Sequence, residues 1–247
     1  MILACPRRLG FLYPDYAAED DYPRMAPLVT PPVQVEVVHT PVDQDLHDPD
    51  VLRQTGEMNR LIRGAQELRE RKVDVIMWAC TSASFVFGWE GAKQQAASLQ
   101  ESAGVPASST SLAFAEALDV VAIDRVAIAA SYPDGVAQLF KDFLVRSGRE
   151  VLHLGSLGIM SGAEVSTVGK EEVLRLILAN DHPDAQAILV PDTALHTAGL
   201  IDDLEDAVQK MVLTANQVTM WQALRLAAHP HPYVQLGMGS LFRSCER

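Results

Sequence analysis

The chain has 247 residues, 32 acidic against 20 basic side chains (net charge -12) and 48% hydrophobic content. That acidity argues against nucleic acid or an anionic membrane surface as the main partner, because both need a basic footprint; no apolar run reaches the roughly 20 residues of a membrane span. Three cysteines, Cys5, Cys80 and Cys245, are too few and odd in number for a disulfide framework, which points to a reducing cytoplasm.

In chain order, MILACPRRLG is too short for a signal peptide and has its charges on the wrong side. LGFLY (9–13) and VQVEVV (33–38) read as strands, and the acidic run AEDDYPRM (18–25) between them as a solvated loop over the site. A helical pattern covers 50–71. VDVIMWA (73–79) is a strand whose apolar run stops at Cys80, with Thr81 and Ser82 next. A helix follows at 90–103, then a short strand, a polar turn and a helix in VPASSTSLAFAEAL (105–118). VAIAAS (126–131), VLHLG (151–155) and AILVP (187–191) are further strands, separated by helices at 134–147 and 167–180. Val136, Leu139, Phe140 and Phe143 show the helical spacing of apolar residues. Apolar strands alternating with helices predict an α/β fold with mostly parallel sheets covered on both faces.

The pattern occurs twice. LGFLYPDYAAE echoes VAIAASYPDGVAQ, DVIMWACTSASF echoes QAILVPDTALHT, and VPASSTSLAFAEAL echoes VLTANQVTMWQAL, in the same order and about 105–120 residues apart. Two pseudo-symmetric lobes follow, 1–118 plus 216–247 and 119–215, with the last helix packing back on the first lobe. Ligands of open parallel sheets bind beyond the carboxyl ends of the strands, so the polar turns converge on a cleft between the lobes.

Cys80 stands at one such end. Free N–H groups of a following helix would hold an anion there and favour a thiolate. The matching position in the second half is Asp192, so a thiol faces a carboxyl group, a pair suited to addition, elimination or proton transfer at carbon. Tyr13, Thr81, Ser82, Tyr132 and Thr193 supply hydroxyls that suit carboxylate oxygens; Pro14 and Pro133 fix turns. His39, Asp43 and His47 lie in a loop-like stretch without a third convergent ligand and predict no metal site. HPHP (229–232) reads as a helix stop, and Cys5 and Cys245 as idle thiols. There is no glycine-rich phosphate loop, no cysteine pair and no HExxH, so neither a nucleotide cofactor nor catalytic zinc is expected.

The strand ending Cys80-Thr81-Ser82, the Ala130-Ser131-Tyr132 turn and the ILVPDT segment resemble the aspartate/glutamate racemase superfamily, in its branch of maleate cis–trans isomerases and arylmalonate decarboxylases. LTANQVTMWQALRL is also similar to an ectoine-utilisation group of that branch. The resemblance implies two flavodoxin-like lobes, an active site between them, no cofactor and a homo-oligomer, dimer or tetramer. It implies that Thr81, Ser82 and Tyr132 bind a substrate carboxylate or stabilise an enediolate, and that Tyr13 and Pro14 touch ligand. Racemases and isomerases of the family place one cysteine on each lobe; the decarboxylase keeps only the second. Here the first remains and Asp192 replaces the other. The expected activity is a cofactor-independent isomerase acting on a small carboxylate or dicarboxylate through Cys80. The alternatives are a decarboxylase or lyase, including one in ectoine-type osmolyte breakdown, and a non-catalytic carboxylate-binding protein.

Overall fold

The computed structural model describes residues 6–230 and 237–243. The first half runs β1 (Arg7–Pro14), α1 (Asp21–Met25), β2 (Val33–Thr40), α2 (Pro49–Thr55), α3 (Met58–Glu70), β3 (Val75–Trp78), α4 (Ser82–Phe85), α5 (Gly88–Ala103), β4 (Ala107–Ser109) and α6 (Thr110–Val120). The second runs β5 (Arg125–Ala130), α7 (Asp134–Arg146), β6 (Glu150–Ser156), α8 (Gly162–Val165), α9 (Lys170–Ala179), β7 (Ala187–Val190), α10 (Ile201–Val208), β8 (Met211–Thr214), α11 (Ala215–Leu226) and α12 (Gly239–Arg243).

The strands form two four-stranded sheets of the same order, β2-β1-β3-β4 and β6-β5-β7-β8, with every pairing parallel. The repeat read from the sequence is therefore a repeat of topology. Only apolar residues, Val75–Trp78 and Ala187–Val190, fill β3 and β7, and both strands are buried throughout, as strands covered on both faces must be. Cys80 lies two residues beyond the end of β3 and Asp192 two beyond the end of β7. Equivalent strands thus carry both groups to equivalent ends.

One difference from the sequence reading lies at 50–71, which is two helices rather than one. Asp48 caps α2 by accepting from the amides of Asp50 and Val51. The helix stops at Gly56, where the chain passes hard against α4. A Cβ at Gly56 would lie 2.2 Å from the Ala83 carbonyl oxygen. Gln95 seals this crossing by donating to the carbonyls of Gly56 (2.8 Å) and Ala83 (3.2 Å).

A single apolar cluster runs through both halves. Phe140 of α7 meets Phe85 and Phe114 of the first half, each with ring centroids 5.4 Å apart, and Trp89 meets Phe143 at 5.2 Å. Each of the fully buried phenylalanines contributes about 1.5–3 kcal/mol by leaving water. The last long helix, α11, lies against α6 of the first half, and Thr219 bonds Thr110 between them at 2.6 Å.

Two loops cross from the first half to the second. The acidic run 18–25 is not a solvated loop: Ala18, Asp21, Tyr22 and Met25 are fully buried. One carboxylate oxygen of Asp21 accepts from the amides of Thr197 (2.8 Å) and Ala198 (3.0 Å) and from the side-chain amide of Asn216 (3.0 Å). Burial of this charge is compensated by oriented donors, which the sequence did not reveal. The second crossing, residues 41–48, ends on the second half through Asp45, whose oxygens accept from the amides of Gly162 and Ala163 at 2.8 Å each. Glycine at 162 keeps that approach open, since even a Cβ would come within 3.2 Å of Asp45 Oδ1.

Candidate active site

Beyond the carboxyl ends of the two sheets is a cavity of about 60 Å³. At roughly 10–15 Å³ per water it holds a handful of waters, which suits a small ligand. Its wall includes Tyr13, Pro14, Cys80 and Ser82 from the first half and Asp192 and Thr193 from the second. Those are six of the eight residues singled out in the sequence. Thr81 and Tyr132 do not line it. Thr81 opens α4, its carbonyl accepting from the amides of Ser84 (3.1 Å) and Phe85 (3.0 Å). Tyr132 stands behind the wall, its ring edge-on to His47 at 4.9 Å and to Phe85 at 5.9 Å.

Cys80 is 5% exposed. Its sulfur accepts from the Ala83 amide at 3.4 Å and lies 3.7 Å from the Ser82 hydroxyl. These donors favour a thiolate, as the sequence led us to expect, but they lose. Burial pushes the thiol up to about 11, and the charge of Asp192 pushes in the same direction. The resting group is a thiol.

Asp192 is 3% exposed. Oδ1 accepts from the Ala194 amide at 2.9 Å and Oδ2 from the Ser131 hydroxyl. The Ser131 that belongs to the Ala130-Ser131-Tyr132 turn is thus an orienting group for Asp192. The phenols of Tyr13 and Tyr132 bind the main chain of the same segment: Tyr13 donates to the Thr193 carbonyl (2.9 Å) and Tyr132 to the Pro191 carbonyl (2.8 Å). Burial raises both phenols well above their ordinary value, so they stay neutral donors. Two hydroxyls expected to face ligand instead brace the strand end that carries Asp192.

The residue that sequence reasoning missed is His47. The sequence groups it with His39 and Asp43 in a loop-like stretch without a third convergent ligand. His47 lines the cavity, its Nδ1 lies 2.9 Å from the Ile159 carbonyl oxygen, and its Nε2 is 4.0 Å from Asp192 Oδ2. A carbonyl only accepts, so Nδ1 carries hydrogen and Nε2 is the atom turned toward Asp192. His47 and Asp45 are two residues apart, and both dock on the 159–163 segment, a contact that local sequence pattern does not record. His39 is elsewhere, stacked on Tyr16 at 4.0 Å and 3.5 Å from Glu19. Asp43 pairs with Arg60, which holds its carboxyl below the usual range. Among the described residues no group of three His, Cys, Asp or Glu side chains is arranged to hold a metal ion. No helix among them is long and apolar enough to cross a membrane. Cys5, Cys245 and the second half of HPHP lie outside the described residues; His229 is within them and has Nε2 2.8 Å from the Pro31 carbonyl oxygen.

Solved structures with this architecture are similar over nearly the whole chain. The maleate isomerase Iso from Pseudomonas putida, as a cysteine-to-alanine variant with maleate, aligns with a TM-score of 0.89 at 21% identity, covering 97% of this chain and 98% of that one. A liganded arylmalonate decarboxylase, in which a glycine is exchanged for cysteine and a cysteine for serine, aligns at 0.85 and 22%, covering 96% and 98%. A cysteine-to-serine variant of Nocardia farcinica maleate cis-trans isomerase, with a covalently bound succinylcysteine intermediate, aligns at 0.86 and 20%, covering 96% and 98%. In sequence, the arylmalonate decarboxylase of Bordetella bronchiseptica is 26% identical over 165 residues, 66% of this chain and 69% of that protein. Residues 53–242, which include Cys80 and Asp192, match the family model described as arylmalonate decarboxylase. With its paired parallel sheets and the cavity at their carboxyl ends, the chain belongs to the arylmalonate decarboxylase family.

Proposed function

We propose that this protein is a cofactor-independent isomerase of a small unsaturated carboxylate, working through Cys80. The observation that carries the reading is the placement of Cys80 and Asp192 at equivalent strand ends on one cavity. The solved relative with a covalent succinylcysteine intermediate supports it by chemical analogy.

Reaction begins with the Cys80 proton moving to the Asp192 carboxylate, directly or through cavity water. That transfer exchanges a thiol beside a buried anion for a thiolate beside a neutral acid, so no charge is added to the site. The sulfur lone pair then forms a bond to one olefinic carbon. The π pair moves into the adjoining carboxylate as an enediolate, which takes the Asp192 proton at the neighbouring carbon. The former double bond is now single and rotates. Asp192 removes a proton from the same carbon, the π bond re-forms, the carbon–sulfur bond breaks and sulfur recovers its proton. Ser131 and the Ala194 amide keep the Asp192 carboxyl in one orientation, and Ser82 lies beside the sulfur that gains and loses charge.

Assaying wild-type, Cys80→Ala and Asp192→Ala proteins for cis–trans conversion of maleate and its monoamide tests this. Activity in the wild type and loss in Cys80→Ala are expected; unchanged turnover in Cys80→Ala removes the mechanism.

A decarboxylase is the second reading. It is favoured by the retention of Cys80 as a buried thiol, raised to about 11, because a neutral thiol can protonate a carbanion left by departing carbon dioxide. Carbon dioxide release from substituted malonates separates the two.

A further inference from the structure

We infer that the molecule bound beside Cys80 carries one carboxylate and presents an N–H donor, an amide or ammonium nitrogen, to Asp192. This deepens the isomerase reading, on which it rests for the position of the reacting carbon.

The cavity wall supplies the argument. Among the described residues that line it, none is lysine or arginine, and the titratable groups are Tyr13, Asp15, Tyr16, Asp45, His47, Cys80 and Asp192. Asp45 is occupied by the amides of Gly162 and Ala163, and Asp15 is exposed at the rim. Asp192 is the buried anion that faces the ligand. Each of its oxygens accepts one protein hydrogen bond, and a carboxylate oxygen has room for a second. The unfilled acceptor positions call for donors from the ligand.

His47 is the nearest group able to carry compensating charge, and it stands 4.0 Å from Oδ2 rather than in contact. A second ligand carboxylate at Asp192 would lie against a buried like charge. At contact distance and an effective dielectric of 20, that repulsion is worth roughly a thousandfold in affinity, and a charged His47 would reduce it to about tenfold or more. An amide or ammonium group in the same place turns repulsion into a charge-assisted hydrogen bond. The ligand's own carboxylate then lies at the Ser82 end, away from Asp192. A maleate monoamide fits this pattern; maleate itself does not.

The test uses saturated analogues, so that binding is read without chemistry. Succinamate and succinate are titrated into the wild-type protein at neutral pH, followed by calorimetry and by the ligand-dependent rise in Tm. Succinamate is expected to bind at least about tenfold tighter. Asp192→Asn, which removes the charge and keeps the shape, is expected to narrow or reverse that preference. Equal binding, tighter succinate binding, or no binding of either acid overturns the inference. The wild-type series decides alone if the variant does not fold. The parent reading fails separately: tight succinamate binding with no isomerisation of the maleate monoamide leaves the charge inference standing and removes the isomerase. Turnover of maleate with tighter succinate binding does the opposite.

Discussion

The ends of β3 and β7 occupy the same place in two sheets of the same strand order, yet one delivers a thiol and the other a carboxyl group. Their surroundings differ to match. Cys80 has an amide and a neighbouring hydroxyl, too little to hold a charge against burial. Asp192 has a donor on each oxygen, and its strand end is braced by two buried phenols. A duplicated fold reproduces the position of a group. The local donors decide which charge state that position can keep.

Substitutions at each end break the comparison most directly. Replacing Cys80 by serine keeps the shape and loses the nucleophile. Turnover is expected to fall by roughly a thousandfold or more, since hydroxyl is a far weaker nucleophile than thiolate. Asp21→Ala examines the crossing that ties α1 to the Asp192 side. It leaves the Thr197 and Ala198 amides and the Asn216 side chain without their shared acceptor. A loss of about 3 kcal/mol in urea denaturation is expected, at about 1–3 kcal/mol per unsatisfied buried donor with partial relaxation.

Electrostatic coupling between the two ends is the next smaller effect. Asp192 disfavours the Cys80 thiolate, so Asp192→Asn is expected to lower the pH midpoint of Cys80 alkylation from about 11. Burial is the larger cause, so the midpoint stays above that of an ordinary thiol. A midpoint unchanged by the substitution would show that the two ends do not sense each other.

Cys80 also makes folding depend on pH. Its folded value is about 11 against 9.0 for the free group. The folded state therefore holds the proton more tightly, and the stability this confers is complete below pH 9 and is lost as pH rises toward 11. The wild type is expected to lose stability between pH 9 and 10, with a Cys80 share of up to about 1.4 kcal/mol per pH unit and a further share from the buried tyrosines as pH nears 10. Cys80→Ser is expected to flatten that slope.

Much of this arrangement was legible in the sequence because it follows from chain direction and periodicity. A strand ending in Cys80-Thr81-Ser82 and another ending in Asp192-Thr193 fix where those side chains emerge once both sheets are parallel. Three features were not legible, each set by partners distant in the chain. The 50–71 helix breaks at Gly56, where the Ala83 carbonyl lies against it. The acidic run 18–25 is buried because amides near residue 197 receive Asp21. His47 reaches the cavity because its loop docks on residues 159–163. Local pattern carries no record of such contacts, and a loop rich in Asp and His reads as solvated until its acceptors and donors are located.

The central claim is that sulfur bonds to substrate carbon. The wild-type protein is mixed with the maleate monoamide, quenched in acid during turnover and mapped by peptide mass spectrometry. The account predicts that the mass of one acid molecule is added to the peptide containing Cys80. Isomerised product with no adduct, or an adduct on any other side chain, would contradict it.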